Sequence, residues 1–577
     1  MEPRKVYETW MNSPDIDPET KAELSAIKDD DAEITDRFYQ ELEFGTAGLR
    51  GVIGAGTNRM NKYTVAKATQ GMSDYINRFY ATALDAACRE CGICDADKKE
   101  NQIPSVAIAC DSRHMSPEFT ATTAAVFNAN GIRTYVFDSL RPTPELSFAI
   151  RHLHCIAGVN ITASHNPAEY NGYKAYWADG AQVTPPHDTG IMDCVNQVEN
   201  FFTPKLMARE EAQAKGLYIT IGEEVDNAFM DAIGTQVREE SLLRQMAKDV
   251  SVVYTPLHGA GIQIVPKLLA RYGFTNFNVV KEQEKPDGDF PTVPYPNPET
   301  AKAFELGEIL AEKVDADLVI ATDPDSDRIG CHVKDKNGVY HTLTGNMIGS
   351  LLCEYELSRL KAQGKLPEDA FVVTSIVSGR MFDEIAKSYG VQPRRVLTGF
   401  KHIGAEILKS EQTGKGHFIM GYEESYGFMI GTFVRDKDAC MAALALCEAC
   451  AYYKYQDLTL WDVMEGLFKK YGYYVEETIS VTHKGVEGMK EIQGIMTDFR
   501  NKKPQAFGSY KVLSSIDYNE PEKTGLPKSN VLYYELEGGW MAIRPSGTEP
   551  KIKYYIGANL KSEEESLKMI ADIKKTI

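Results

Sequence analysis

The sequence predicts an α/β protein with mixed, mostly parallel sheets that ends in a smaller α+β domain. Three observations carry that expectation. Short apolar runs alternate with amphipathic helical stretches from about Ile103 to Lys454, the rhythm of strand–helix–strand units. Turn residues such as Gly131, and the proline-rich stretch from Lys285 to Pro298, punctuate that rhythm. From Val475 onward strand-like runs follow one another closely, two of them joined by Gly538-Gly539, a hairpin turn.

In chain order, residues 1–42 read as an N-terminal helical extension. Ser105 to Cys110 is a strand. Ser116-Pro117-Glu118 then starts a helix with an N-cap, proline at the first position and an acid for the dipole. Gly131 ends that helix and Ile132 to Phe137 is the next strand. A second set holds the strand Asp249 to Tyr254, the helix Ile262 to Tyr272 and the strand Asn276 to Val280. It continues with a helix through Lys313 and the strand Asp317 to Thr322. A third holds strands at Phe371 to Ile376, Arg395 to Leu397 and His417 to Met420, with a helix from Met381 to Tyr389. The last region has strands at Val475 to Val481, Tyr510 to Ile516, Val531 to Glu537, Trp540 to Ile543 and Ile552 to Ile556. It closes with a helix whose Ser562 and Glu565 form a capping box. No sequence repeat accompanies this repeat of pattern.

A chain of 577 residues has room for three to four domains. Its 43% hydrophobic and 25% charged residues are an ordinary globular mix, and no apolar run is long enough to span a bilayer. Met1 to Asp31 is polar and acidic, unlike a secretory or transit peptide. Eleven cysteines lack metal-ligand spacing; Cys88, Cys91 and Cys94 come closest and have no second half. A cytoplasmic location is therefore expected. The net charge of −19 argues against nucleic-acid or anionic-membrane partners. Any anionic substrate must then be held by local basic residues, backbone N–H groups or a metal. Nothing in the chain indicates its oligomeric state.

Four loops stand out. The strand at Ile161-Thr162 runs into Ala163-Ser164-His165-Asn166-Pro167, the kind of strand end where α/β proteins place reactive groups. A simple serine turn is the plainer alternative. A hydrolase would want a G-x-S-x-G elbow, which is missing, and adjacency alone does not make His165 a base for Ser164. The strand Asp317 to Thr322 ends in Asp323-Pro324-Asp325-Ser326-Asp327-Arg328. In an extended loop alternate side chains face one way, so three carboxylates converge and call for a hard cation such as Mg²⁺. Arg328 and Lys334 stand where an EF-hand needs Gly and Glu, and Asp327 stands where a haloacid-dehalogenase motif needs Thr or Val; a solvated polar turn is the other alternative. Near the C-terminus, Arg544-Pro-Ser546-Gly547-Thr548-Glu-Pro-Lys551-Ile-Lys553 offers several donors to one anion. Gly421-Tyr-Glu423-Glu424-Ser425 suits sugar hydroxyls, or equally a helix N-terminus.

Together these loops resemble the α-D-phosphohexomutases, from roughly Glu43 to Ile556. The matching pieces, in the family's order, begin with Gly45-Thr-Ala-Gly-Leu-Arg50-Gly, Thr162-Ala-Ser164-His-Asn-Pro and Asp323-Pro-Asp-Ser-Asp-Arg328. Thr398-Gly399-Phe-Lys401, Gly421-Tyr-Glu-Glu-Ser425 and Arg544-Pro-Ser-Gly-Thr548 complete them. The resemblance implies four domains around a central cleft, three α/β and a last α+β, at 43–205, 206–328, 329–458 and 459–577. It implies a phosphorylated Ser164 that passes its phosphoryl group to a sugar monophosphate through a bound 1,6-bisphosphate, itself an activator. Arg50, Lys174 and His165 would stand with Ser164 in the catalytic set. Mg²⁺ would be held by Asp323, Asp325, Asp327 and Ser164. Arg328, Thr398, Gly399, Lys401, Glu423, Ser425 and Lys437 would bind the sugar phosphate. Arg544, Ser546, Gly547, Thr548 and Lys553 would bind the phosphate that is not reacting. Lys174 is also expected as the base, with a pKa lowered by neighbouring cations. The sequence departs from many relatives at Pro324 and Ser326, where glycines are usual, and lacks a histidine after Glu-Glu-Ser. The Glu-Glu-Ser form favours glucose phosphates over mannose phosphates, and the N-terminal motif resembles a branch with pentomutase activity. A family member turned binding protein should have lost Ser164 or one acid, and none is missing.

Overall fold

Strands buried on both faces set the architecture of the computed structural model. It describes residues 2–45, 48–91, 103–483, 485–546 and 551–577, without the side chains of 83–91 and 485–487. These fall into two compact units. One comprises 1–237, 247–330 and 431–444, the other 238–246, 331–430 and 445–577.

The first unit opens with helices Pro3–Asn12, Pro18–Ala26 and Asp31–Phe38. Their apolar faces, Tyr7, Trp10, Leu24, Ile34 and Phe38, close over Tyr63 and Phe201. The six-stranded sheet of this unit is ordered β1-β5-β4-β2-β3-β6. Its strands are β1 (Gly48–Val52), β2 (Ser105–Cys110), β3 (Arg133–Phe137), β4 (Ala157–Ile161), β5 (Tyr170–Trp177) and β6 (Tyr218–Ile221). From β4 through β6 the neighbours run parallel, whereas β5 turns back antiparallel to both β4 and β1. Every residue of β4 is buried, as a central strand covered on both faces requires. Parallel pairing repeats in β7 (Val252–Thr255), β8 (Phe277–Val279) and β9 (Leu318–Thr322), with β7 between the other two. β4 and β9 carry the two chemically interesting loops at their C-terminal ends.

The second unit holds most of the hairpin β10 (Ile329–Lys334) and β11 (Tyr340–Leu343). It also holds a four-stranded sheet of β12 (Ala370–Ser375), β13 (Gln392–Val396), β14 (His417–Glu423) and β15 (Gly427–Ile430). A six-stranded sheet follows, ordered β16-β21-β20-β19-β18-β17. Its strands are β16 (Tyr473–Thr482), β17 (Ala506–Phe507), β18 (Tyr510–Asp517), β19 (Leu532–Leu536), β20 (Gly539–Pro545) and β21 (Lys551–Leu560). All its pairings are antiparallel. One side of β18 is open to solvent, which antiparallel sheets allow. Three α/β sheets and a last β-rich domain match the expected class, and Gly538, at φ +83°, makes the expected hairpin turn.

Some local expectations fail. Ser116 is the first helical residue, not the cap, because Met115 turns left-handed before it and the Ser116 hydroxyl donates to Asp111 instead. Asp249 lies in a 3₁₀ turn ahead of β7. Ser562 accepts from the Glu565 N–H at the last helix without the return bond of a capping box, whereas Thr459 and Asp462 form a complete one. Cys94 lies outside the described residues, as do Gly547 and Thr548.

Candidate active site

At the end of β4 the chain reverses sharply, and Ser164 takes a left-handed backbone with φ +54°. Its N–H donates to Thr162 Oγ1 at 2.8 Å and its hydroxyl donates to Asp323 Oδ2 at 2.7 Å. His165 Nδ1 lies 3.1 Å from the same hydroxyl. Burial, with Arg328 and Arg50 nearby, drives the His165 pKa well down, so the ring is neutral.

Asp323, Asp325 and Asp327 offer carboxylate oxygens within 4.8 Å of one another, all buried. They converge through a tight turn, with Ser326 N–H donating to the Asp323 carbonyl at 2.9 Å, and not through the extended alternation expected. Ser326 has φ +50°, a conformation glycine adopts freely and serine at a cost of about 1 kcal/mol. Each carboxylate is held differently. Asp323 Oδ1 accepts the N–H groups of Asp327 and Arg328, both at 3.0 Å. Asp325 Oδ2 accepts Thr143 Oγ1 and Lys174 Nζ, both at 2.7 Å. Asp327 Oδ2 faces Lys174 Nζ at 3.2 Å and Lys437 Nζ at 3.1 Å. The other oxygens of Asp325 and Asp327 are buried without a hydrogen-bond partner.

Burial and the two neighbouring carboxylates push the Asp323 pKa well up. For Asp327 burial acts the same way, but Lys174, Lys437 and Arg328 overcome it and hold the group ionised. A buried, partly uncompensated carboxylate cluster with orphaned oxygens suits a hard divalent cation. The donors left to it are Asp325 Oδ1, Asp327 Oδ1 and Asp323 Oδ2 beside Ser164, so the residues fit a metal.

The expectation of a depressed Lys174 pKa is overturned. Although burial opposes it, Asp325 and Asp327 raise that pKa, because the closest groups are carboxylates and not cations. Lys437, matched by resemblance to a substrate contact, sits within the same ionic chain, 3.0 Å from Asp436. Asp436 is in turn held by Tyr176 and Gln182 at 2.8 and 2.9 Å. Arg328 reaches Glu299 at 2.7 Å. Arg50 is exposed on β1, opposite Gly172. Thr143, Asn160, Asp436 and Tyr176 were not anticipated. Asn160 Nδ2 donates to Thr143 Oγ1 at 2.5 Å, and Thr143 N–H donates to the Asp325 carbonyl at 2.8 Å.

The second unit assembles the remaining loops. Glu423 ends β14, and its Oε1 accepts the Gly399 N–H at 2.6 Å. Gly399 has φ +121°, which only glycine adopts easily, and Thr398 Oγ1 is buried without a partner. Glu424 is committed to Ser375 and Ser378 at 2.9 and 3.0 Å. Ser425 lies in the β14–β15 turn, so this segment is not a helix start. Arg544 on β20 stands opposite Lys553 on β21. Burial, then the positive charges of Lys401 and Arg544, depress the His402 pKa to about 4. Ser546 N–H donates to the Lys551 carbonyl at 2.7 Å.

Comparison with known proteins decides the family. Models of phosphoglucomutase/phosphomannomutase α/β/α domains I, II and III match residues 90–201, 227–338 and 344–471. A phosphoglucomutase of Staphylococcus epidermidis is 37% identical over 530 residues, 89% of this chain and 90% of the relative. The chain belongs to the phosphoglucomutase/phosphomannomutase family. Another family member, a phosphoglucomutase of Staphylococcus aureus, is 36% identical over 548 residues, 93% of each chain. Among solved structures of the same fold, a putative phosphomannomutase from Thermus thermophilus aligns at a TM-score of 0.67 and 19% identity. That alignment covers 93% of this chain and 99% of that one. Parafusin, a phosphoglucomutase of Paramecium, aligns at 0.67 and 17% identity, covering 93% and 95%. With the family comes the reaction class: the chain is a phosphosugar mutase, an isomerase. Among the described residues no helix is long and apolar enough to cross a membrane.

Proposed function

We propose that the chain interconverts glucose 1-phosphate and glucose 6-phosphate in the cytoplasm, carrying the phosphoryl group on Ser164 and holding glucose 1,6-bisphosphate between half-reactions. One observation carries the reading: the Ser164 hydroxyl bonds directly to a buried carboxylate cluster. The glucose preference rests on the Glu423-Glu424-Ser425 loop and on the named activity of the Staphylococcus relatives. Mannose and pentose phosphates are the competing substrates.

Asp323, Asp325 and Asp327 hold Mg²⁺ in this reading, which when bound offsets charge on the transferred phosphoryl oxygens. A sugar hydroxyl attacks the phosphorus of phosphoSer164; the new O–P bond forms as the Oγ–P bond breaks. In sum the proton lost by the sugar hydroxyl is regained at Oγ, where the O–H then donates to Asp323. Lys174, Lys437, Arg328 and Arg50 supply fixed positive charge near the transfer. Neutral His165 serves as a hydrogen-bond partner of Oγ. Glu423, Ser425, Thr398, Gly399 and Lys401 take the sugar. Arg544, Ser546, Gly547, Thr548 and Lys553 take the idle phosphate, so the bisphosphate can present either end. The four domains are proposed at 43–205, 206–328, 329–458 and 459–577.

A coupled assay comparing glucose, mannose, glucosamine and pentose 1-phosphates tests the substrate. Turnover fastest with glucose 1-phosphate, and dependent on Mg²⁺ and bisphosphate, supports the reading; a faster mannose or pentose phosphate overturns it.

A further inference from the structure

A guanidinium with no solvent exposure lies behind the Ser164 loop. Arg113 follows β2, and its Nη2 donates to the Ser164 carbonyl at 2.6 Å and also to that of Asn166. Its Nη1 donates to the carbonyls of Pro167 and Tyr170 at 2.8 and 2.9 Å. Arg113 Nε lies 3.3 Å from Asp111 Oδ2, both side chains fully buried, and the guanidinium stacks 5.1 Å over the Phe290 ring. Asp111 completes the frame. Its Oδ1 accepts Arg113 N–H and the Ser116 hydroxyl at 2.9 and 3.0 Å. Its Oδ2 accepts the Thr162 hydroxyl at 2.6 Å, and Thr162 Oγ1 in turn accepts the Ser164 N–H at 2.8 Å.

A buried ion pair is a poor way to gain stability, because desolvating both charges offsets their attraction. Its use here is geometric. A left-handed serine is unfavourable on its own, yet Ser164 holds that backbone at φ +54° with its Oγ on Asp323. The loop is gripped at the Ser164 carbonyl by Arg113 and at the Ser164 N–H by Thr162, so the peptide groups on both sides of the reacting residue are fixed. A planar fork spreads five N–H donors over three nitrogens and so reaches all four carbonyls; a lysine has three donors on one nitrogen and cannot span them. We propose that Arg113, paired with Asp111, is a positioning residue for phosphoryl transfer that sets the Ser164 backbone and so aims Oγ. This rests on Ser164 as the phosphoryl carrier.

The test uses the full-length protein with Mg²⁺ and bisphosphate. Arg113→Lys keeps the charge and loses the fork, and should lower kcat about a hundredfold, the effect of an ångström-scale misplacement. KM for glucose 1-phosphate should hold, since the sugar contacts are elsewhere. Arg113→Ala should regain activity with added guanidinium. Loading of phosphate onto Ser164 from bisphosphate, followed by intact mass, should slow in parallel. Thr162→Val should show the same loss and Thr162→Ser recover most of it, a comparison that stands even if the Arg113 variants do not fold. A folded Arg113→Lys enzyme with wild-type kcat overturns the proposal. So does Thr162→Val at the wild-type rate, or loss that follows the unfolded fraction without guanidinium rescue. Failure of the carrier reading is distinct: Ser164→Ala would then still turn over.

Discussion

Replacing Thr143 with valine keeps the shape and removes one oxygen from the wall of the aspartate cluster. That hydroxyl donates to Asp325 at 2.7 Å and accepts from Asn160 at 2.5 Å. A hydrogen bond to a charged group contributes about 1.5–3 kcal/mol, and a buried donor left unsatisfied costs about 1–3 kcal/mol. Asn160 has no exposure, and its Oδ1 already lacks a partner, so its freed amide finds no water. The unfolding free energy in chelator should fall by about 2.5–6 kcal/mol, less whatever the added methyl contact returns. The larger signal is in metal binding. Asp325 keeps Lys174 but loses the bond that fixes its carboxylate plane, and losses of outer-shell partners weaken metal affinity about 10- to 100-fold. Calorimetric titration with Mn²⁺ or Mg²⁺ reads this without substrate, alongside urea denaturation in chelator. If stability falls as worked out and metal affinity is unchanged, Thr143 does not orient a ligand and the assignment of Asp325 Oδ1 to the ion is wrong.

Three further outcomes are expected. Ser164→Ala should abolish mutase turnover, and the wild-type protein should show a partial phosphate adduct by intact mass that maps to Ser164. Arg544→Ala should weaken sugar-phosphate binding about ten- to a hundredfold, the loss of a two-pronged contact of about 1.5–3 kcal/mol; unchanged KM and unchanged escape of labelled bisphosphate would make that loop structural. Glu448 is 2% exposed, and burial with Glu356 nearby raises its pKa to about 7, although the N–H groups of Glu239 and Arg238 lower it. Its folded pKa exceeds the unfolded one, so its contribution is present below about pH 4.5 and lost as pH rises through about 7, up to about 3 kcal/mol. Glu448→Gln keeps the acceptor and should flatten that fall; thermal midpoints at pH 5 and 8 that move alike in both proteins refute it.

How much of the site was legible depended on how local each cause is. The Asp323-Asp325-Asp327 spacing and the strand-end position of Ser164 are local signals, and both loops lie where the strand pattern put them. Long-range causes were out of reach. Thr143 meets Asp325 across 182 residues and Lys174 meets it across 151, so neither the orienting hydroxyl nor the raised lysine pKa has a sequence pattern. Arg113 serves a loop more than fifty residues away. Ser116 shows the opposite error: a sound local cap signal lost to a buried carboxylate five residues back. The capping box at Thr459 uses aspartate where glutamate or glutamine is usual, and so was overlooked.

Eight of the eleven cysteines have described side chains; all eight are free thiols and only Cys110 is not buried. Burial pushes Cys110 and Cys155 up to about 12, so even a thiol near the surface is a slow nucleophile while the fold is closed. Cys110, Cys155, Cys194 and Cys440 belong to the first unit, and Cys331, Cys353, Cys447 and Cys450 to the second. A thiol reagent reaches each of the buried ones only after the surrounding structure opens, and its rate then reports the free energy of that opening. Timed alkylation with peptide mapping would therefore follow the two units separately in unmodified protein. It would show which of them loosens first on heating, and whether a bound sugar phosphate slows one unit or both.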